Sequence, residues 1–180
     1  MNQPQELIES LNHLMGERKD QIERAATIIN QADHIYLSGI GASWHAARAA
    51  SQFFKIAGRP VSLIEASELL HFSRFAPRSV VLIISRSGQS VEIVKLLQKA
   101  RESDAKVIGI TNTPDSPLFR ASVVKISVNA SFDHTVSVTM YSALAMAAGL
   151  IANTAVGSFD AHLQRALTQS LLAVKESMND

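Results

Sequence analysis

The stretch Val80–Ser90, VVLIISRSGQS, joins five consecutive apolar residues to a turn of three serines and a glycine. A short unbroken apolar run suits a strand buried on both faces, as in a parallel sheet. Beyond it, Val91, Val94, Leu96 and Leu97 recur at helical spacing as far as Arg101. The serines therefore fall at a strand-to-helix turn. Ser85, Ser87 and Ser90 supply hydroxyls, Gly88 lets the backbone bend, and the helix start offers free N–H groups to an anion. At this point a serine-rich helix cap fits the same residues.

The pattern extends in both directions. Upstream, Leu7, Leu11, Leu14, Ile22, Ala26 and Ile29 trace a helical face interrupted near Gly16, with His13 read as a solvated helix residue. Residues 34–39 form a strand that ends in Ser38-Gly39-Ile40-Gly41-Ala42-Ser43, and the helix after it stops near Gly58. Val61–Ile64 is a second strand, and Glu65–His71 opens a short helix or loop. Downstream come a strand over Lys106–Ile110, a helical turn within Asp115–Ala121, a strand over Val123–Val128, an alanine-rich helix and a last helix from about Asp160 to Ser177.

Strands alternating with helices predict a three-layer α/β/α sandwich around a five-stranded parallel sheet, in the flavodoxin-like order 2-1-3-4-5. Residues 1–180 form one domain: N-terminal helices over 5–31, a sheet core over 34–128 and C-terminal helices over 134–177. In that order the topological switch lies between the first and third strands, whose ends carry the two Gly/Ser-rich turns. The two turns thereby become one site, which favours the anion cup over a simple cap.

Composition narrows the function. The chain is 47% hydrophobic and 18% charged, with a formal net charge of +1, so it offers no field for nucleic acid or an anionic membrane. It has no cysteine, which excludes disulfides and thiolate chemistry. The polar start MNQPQELIES lacks the basic residues and apolar run of a signal peptide, so a cytoplasmic location is expected. Thr135–Phe159 carries no charge, but its alanines, serines and threonines point to a buried helix rather than a membrane span.

The ligand classes separate on the same turns. Gly39-Ile40-Gly41 begins a dinucleotide fingerprint, but Trp44 stands where the third glycine must allow close helix packing. No Gly-Lys-Ser/Thr occurs, so a Walker loop is absent. The six histidines show no H-x-x-x-H spacing, so no metal site and no cofactor is expected. Serine-rich turns without lysine or metal suit a single phosphate monoester.

GIGASWHAA, ISRSGQSVEIV, GITNTPDSPLFRAS and the segment from His134 to Leu150 resemble the SIS (sugar isomerase) domain family, over about residues 30–155. The likeness is to the isomerase half-domains of glucosamine-6-phosphate synthase and to single-SIS phosphosugar isomerases. Its most specific mark, S-x-S-G-x-S/T, stands complete as Ser85, Ser87, Gly88 and Ser90. The resemblance implies a phosphosugar-binding protein, foremost an aldose–ketose isomerase acting on a sugar phosphate or amino sugar phosphate. A non-catalytic sensor module and a phosphosugar deglycase are the alternatives. It further implies that Ser85, Ser87 and Ser90 hold the phosphate with the backbone of Arg86, Gly88 and Gln89. Gly41, Ala42, Ser43 and Ser137 then line the sugar. One departure is that a lysine of the synthase's segment appears here as Thr139.

Isomerisation needs a base near C1 and C2, a proton shuttle and often a histidine to open the ring. Glu68 is the first candidate base, since single-SIS isomerases resemble this chain in carrying a glutamate near this place; Glu65 is second. Glu68 serves equally as a helix cap or a partner for Arg74. His71, one helical turn after Glu68, and His134, before the alanine-rich helix, are the histidine candidates. Trp44 serves either as a cover for the sugar or as a core or dimer anchor. Small residues in the alanine-rich helix allow close approach of a second copy, so a homodimer or homotetramer is expected.

Overall fold

The computed structural model describes residues 3–130 and 138–177. Two helices lead in, α1 (Gln3–Met15) and α2 (Lys19–Gln31), followed by β1 (His34–Ser38), α3 (Ala42–Ile56), β2 (Ser62–Leu63) and α4 (Ala66–Phe72). Then come β3 (Ser79–Ile84), α5 (Val91–Glu102), β4 (Lys106–Thr111), α6 (Pro117–Ala121) and β5 (Val124–Ser127). Helices α7 (Val138–Ala155) and α8 (Ala161–Ser177) close the chain. The sheet is parallel, in the expected order β2-β1-β3-β4-β5.

β3 is the middle strand, and every one of its residues is buried. Its side chains alternate between two cores. Val80, Leu82 and Ile84 join the larger core with residues of α1, α2, α3 and α7. Val81 and Ile83 join the smaller one with Leu69 of α4, Ile93 and Leu96 of α5 and Leu118 of α6. Each such side chain contributes about 1.5–3 kcal/mol by leaving water. That double burial is why the run Val80–Ile84 shows no polar alternation.

The edges are where sequence and structure part. β2 pairs only at Tyr36–Ser62 and Leu37–Leu63, two residues against an expected four. It is an edge strand, so one neighbour alone defines its length. Past it the chain still follows β1: Ile64 N donates to Leu37 O at 3.1 Å and Ala66 N to Gly39 O at 3.1 Å. His13 is not a solvated residue. Its Nε2 lies 3.1 Å from the Ser127 carbonyl and its Nδ1 3.0 Å from Glu17 Oε2, so it links α1 to the end of β5.

α7 is long and apolar enough to cross a membrane by length and composition. Here it is a core helix, with Ala143, Leu144, Ala147, Ala148, Ile151 and Ala152 buried against α1, α2 and α3. Its small residues admit α3 closely: Ala46, Ala47 and Ala50 are fully buried, and Gly149 leaves only van der Waals room for Phe53. The alanine stripe thus packs within the chain, chiefly against α3.

Candidate functional site

The C-terminal ends of β1 and β3 lie side by side, Ser38 paired with Ile83, and the two Gly/Ser-rich turns leave the sheet together. Gly39 permits this closeness. A Cβ there would lie 2.8 Å from the Ser43 carbonyl carbon and 2.9 Å from Ile84 O, both backbone atoms that cannot step aside. The first turn therefore sets α3 directly against the end of β3, with Ser43 N donating to Ile40 O at 3.1 Å.

The second turn is pinned from below. The Arg86 carbonyl accepts from Asn112 N (3.1 Å), Thr111 Oγ1 (2.9 Å) and Thr113 Oγ1 (3.3 Å), all at or just past the end of β4. Asn112 also exchanges two side-chain hydrogen bonds with the Ala130 backbone, at 2.9 and 2.8 Å. Within the turn, Ser85 Oγ accepts from Gly88 N at 3.1 Å and Ser87 Oγ from Gln89 N at 3.4 Å. Those hydroxyl oxygens act as acceptors, which leaves their protons to donate. Ser90 precedes α5 yet makes no side-chain capping bond, so its hydroxyl is not spent on its own helix. Gly88 has a φ of 62°, in the left-handed region that favours glycine.

Between the turns and α7 lies a cleft of about 330 Å³. Ser85, Arg86, Ser87 and Ser90 form one wall and Ala42 and Ser43 the floor. Ile40, Met140, Tyr141 and Leu144 complete the lining. Its volume suits a small ligand. Two helices, α3 and α5, start here, and helix N-termini carry partial positive charge. The larger hollow, about 640 Å³, opens at the opposite end of the sheet beside the C-termini of α2 and α5, where that polarity is reversed. An anion is therefore favoured in the smaller cleft.

Of the residues singled out from sequence, Ala42, Ser43, Ser85, Arg86, Ser87 and Ser90 meet around this cleft. Gly41, Gly88 and Gln89 belong to its turns without lining it. Glu68 and His71 are exposed on α4, outside the lining. Glu68 neither caps α4 nor pairs with Arg74. The cap is Glu65, whose carboxylate accepts from Ser67 N at 2.9 Å and from the Ser67 hydroxyl. Trp44 is also outside the lining; Arg48 lies 5.9 Å over its ring. His134 and Ser137 lie outside the described residues.

Sequence reasoning passed over Ile40, Met140, Tyr141 and Leu144. The last three belong to the first turns of a helix that reads as core throughout. Tyr141, the one aromatic residue in α7, was the available signal.

The chain belongs to the SIS domain family, whose model matches residues 28–151. It is 31% identical over 128 residues to arabinose 5-phosphate isomerase KdsD of Francisella tularensis, covering 68% of this chain and 39% of that protein. It is 33% identical over 130 residues to the HTH-type transcriptional regulator HexR of Escherichia coli, covering 71% of this chain and 44% of the regulator. The chain thus spans less than half the length of either relative. The solved C-terminal domain of glucosamine-fructose-6-phosphate aminotransferase from Francisella tularensis shares the fold. Its TM-score is 0.79 at 20% identity, over 97% of this chain and 51% of that one.

Proposed function

We propose that the cleft binds the phosphate of a phosphosugar and that the protein is a cytoplasmic aldose–ketose isomerase working as a homodimer or homotetramer. The carrying observation is the convergence of Ser85, Ser87 and Ser90 on one cleft at the start of α5. Three hydroxyls, the α5 N-terminus and Arg86 match a phosphate dianion by charge and by donor count. The sugar would extend over Ala42 and Ser43 towards α7.

In this reading Glu68 is the base that moves a proton between C1 and C2, and His71 or His134 shuttles the hydroxyl proton. α4 starts beside Gly39, at the same end of the sheet as the cleft, through the Ala66–Gly39 bond of 3.1 Å. Its exposed Glu68 and His71 are open to serve a cleft in a neighbouring copy as well as their own. Arabinose 5-phosphate isomerase as a relative supports the enzymatic reading.

The second reading is a phosphosugar sensor without chemistry, supported by the likeness to the regulator HexR. Solvent exchange separates the two. A bound phosphosugar incubated in deuterium oxide with the isomerase gains deuterium at C1 or C2, which NMR detects. Tight binding without exchange would overturn the isomerase and leave the sensor.

A further inference from the structure

We propose that the outer edge of β5 is a docking site for an acidic, extended segment of another protein, added to the five-stranded sheet as a further strand.

β5 ends the sheet and pairs with β4 alone. A peptide plane points its N–H and its C=O in opposite directions. Val128 N donates to Thr111 O at 3.1 Å, so the Ser127 carbonyl faces away from β4, where His13 Nε2 lies 3.1 Å from it. That closes the far end of the edge. At the near end Val123 N donates to Val107 O at 2.9 Å, so the Ser122 carbonyl also faces outward. No donor among the described residues meets it. An extended chain brings backbone N–H groups to such an edge, which an inorganic anion cannot do.

Beside this open end, between the start of α2 and α6, lies a hollow of about 500 Å³. Arg18, Arg24 and Lys125 stand around it. None of the three has a carboxylate within ion-pair distance among the described residues. Arg18 gives its Nε to His13 at 3.2 Å, and Lys125 lies 5.8 Å over the Phe119 ring, so both are placed without being neutralised. The neighbouring acids are engaged or turned elsewhere: Glu17 lies 3.0 Å from His13, Glu23 lies 3.8 Å from Lys19, and Asp20 is outside the lining. α2 begins without a side-chain cap, and its partial positive charge adds to theirs.

The two faces of the edge differ. Val124 points into the larger core, on the α2 side, and Lys125 lies on the α6 side with Phe119. Val123, 42% exposed, adds apolar surface beside Phe119. Side chains of an added strand alternate between the same two sides. Acids at every second position would meet Arg18 and Arg24, and apolar residues between them would meet Phe119 and Val123. A second copy fits poorly, because edge-to-edge pairing of β5 sets these cations against their own kind.

Fluorescence anisotropy of the full chain with a labelled, capped peptide of alternating glutamate and valine tests the proposal. It is expected to bind about tenfold or more tighter than the same peptide with glutamine for glutamate, and tighter at low salt. Methylating alternate backbone nitrogens should abolish binding. Arg24→Ala with Lys125→Ala, both exposed, should weaken it about tenfold while circular dichroism stays unchanged. Amide shifts in NMR should fall on β5 and the start of α2. No saturable binding, equal binding of the glutamine or methylated peptide, or shifts confined to the Ser85–Ser90 turn would overturn the proposal. So would a thymidine oligonucleotide that displaces the peptide at equal concentration, which would make the surface a general polyanion site.

Discussion

Gly88 stands directly over the Ser116 hydroxyl: a Cβ on residue 88 would lie 2.3 Å from Ser116 Oγ. Ser116 is not free to turn away, because that oxygen caps α6 by accepting from Phe119 N at 3.2 Å. Gly88→Ala is therefore expected to cost about 1–3 kcal/mol from its left-handed backbone alone, with the clash added. Pairing it with Ser116→Gly removes the clash and leaves the strain, so urea denaturation of the double variant should recover part of the loss. A Gly88→Ala protein as stable as the parent would mean that the turn adopts another shape.

Ser87→Ala and Ser90→Ala each remove one hydroxyl from the phosphate wall without touching the core. A hydrogen bond to a charged group contributes about 1.5–3 kcal/mol, so each change should weaken phosphosugars about 10- to 100-fold. Unphosphorylated sugars should bind as before. Equal weakening of both kinds in calorimetry would show that the turn serves structure rather than phosphate.

Glu68 is exposed, so Glu68→Gln should leave folding and phosphosugar affinity nearly unchanged. As the base it should slow C1/C2 hydrogen exchange by about 10²–10⁴. Exchange at the parental rate in the Gln variant would remove Glu68 from the reaction and pass the role to Glu65 or another group.

Lys99 on α5 holds the end of α4. Its Nζ donates to Leu69 O at 3.0 Å, to Leu70 O at 2.5 Å and to the Ser73 carbonyl. A cation on the last carbonyls of a helix opposes the partial negative charge there. Lys99→Met should destabilise the fold by about 1–2 kcal/mol and raise hydrogen exchange in α4 ahead of the rest. Uniform exchange across the molecule would show that α4 does not open separately.

Asp160 lies just before α8, and the bond its carboxylate accepts from Leu163 N, 2.8 Å, holds its pKa below the usual carboxylate value. A depressed folded-state pKa means that the ionised form stabilises the fold. The contribution is complete above the ordinary Asp pKa and disappears as pH falls through the lowered one. Acid should therefore loosen the start of α8, visible as loss of Leu163 amide protection by NMR. Asp160→Asn should flatten that pH dependence.

The core of the fold was readable because β3 is buried on both faces and leaves a continuous apolar run, while α2 and α5 show clean helical spacing. The βα alternation pointed to a parallel sheet, whereas the strand order came from a common five-stranded arrangement that the sheet turns out to have. What failed lay at the margins. β2 has a single neighbour and four plausible strand residues, so local propensity overstated its length. His13 looks solvated on a helical wheel because its partner Ser127 is 114 residues away. The alanine stripe of α7 says that something packs closely but not what; within the chain, α3 is what it meets.

The site divided in the same way. Turn chemistry is local, so Ser85, Ser87 and Ser90 announced themselves. The opposite wall is assembled by tertiary packing, and Met140 and Leu144 carry no mark that separates a cleft wall from a core. Likewise, Glu65 and Glu68 flank Ser67 and either could cap α4; only the structure shows that Glu65 does.

The hold that Thr111, Asn112 and Thr113 keep on the Arg86 carbonyl has a thermodynamic consequence. The β3–α5 turn has its shape before any ligand arrives, so little backbone freedom remains to be lost on binding. Affinity at this wall is then set by the contacts made rather than by the cost of ordering a loop. Calorimetry of phosphate binding should reflect this as a small entropic penalty.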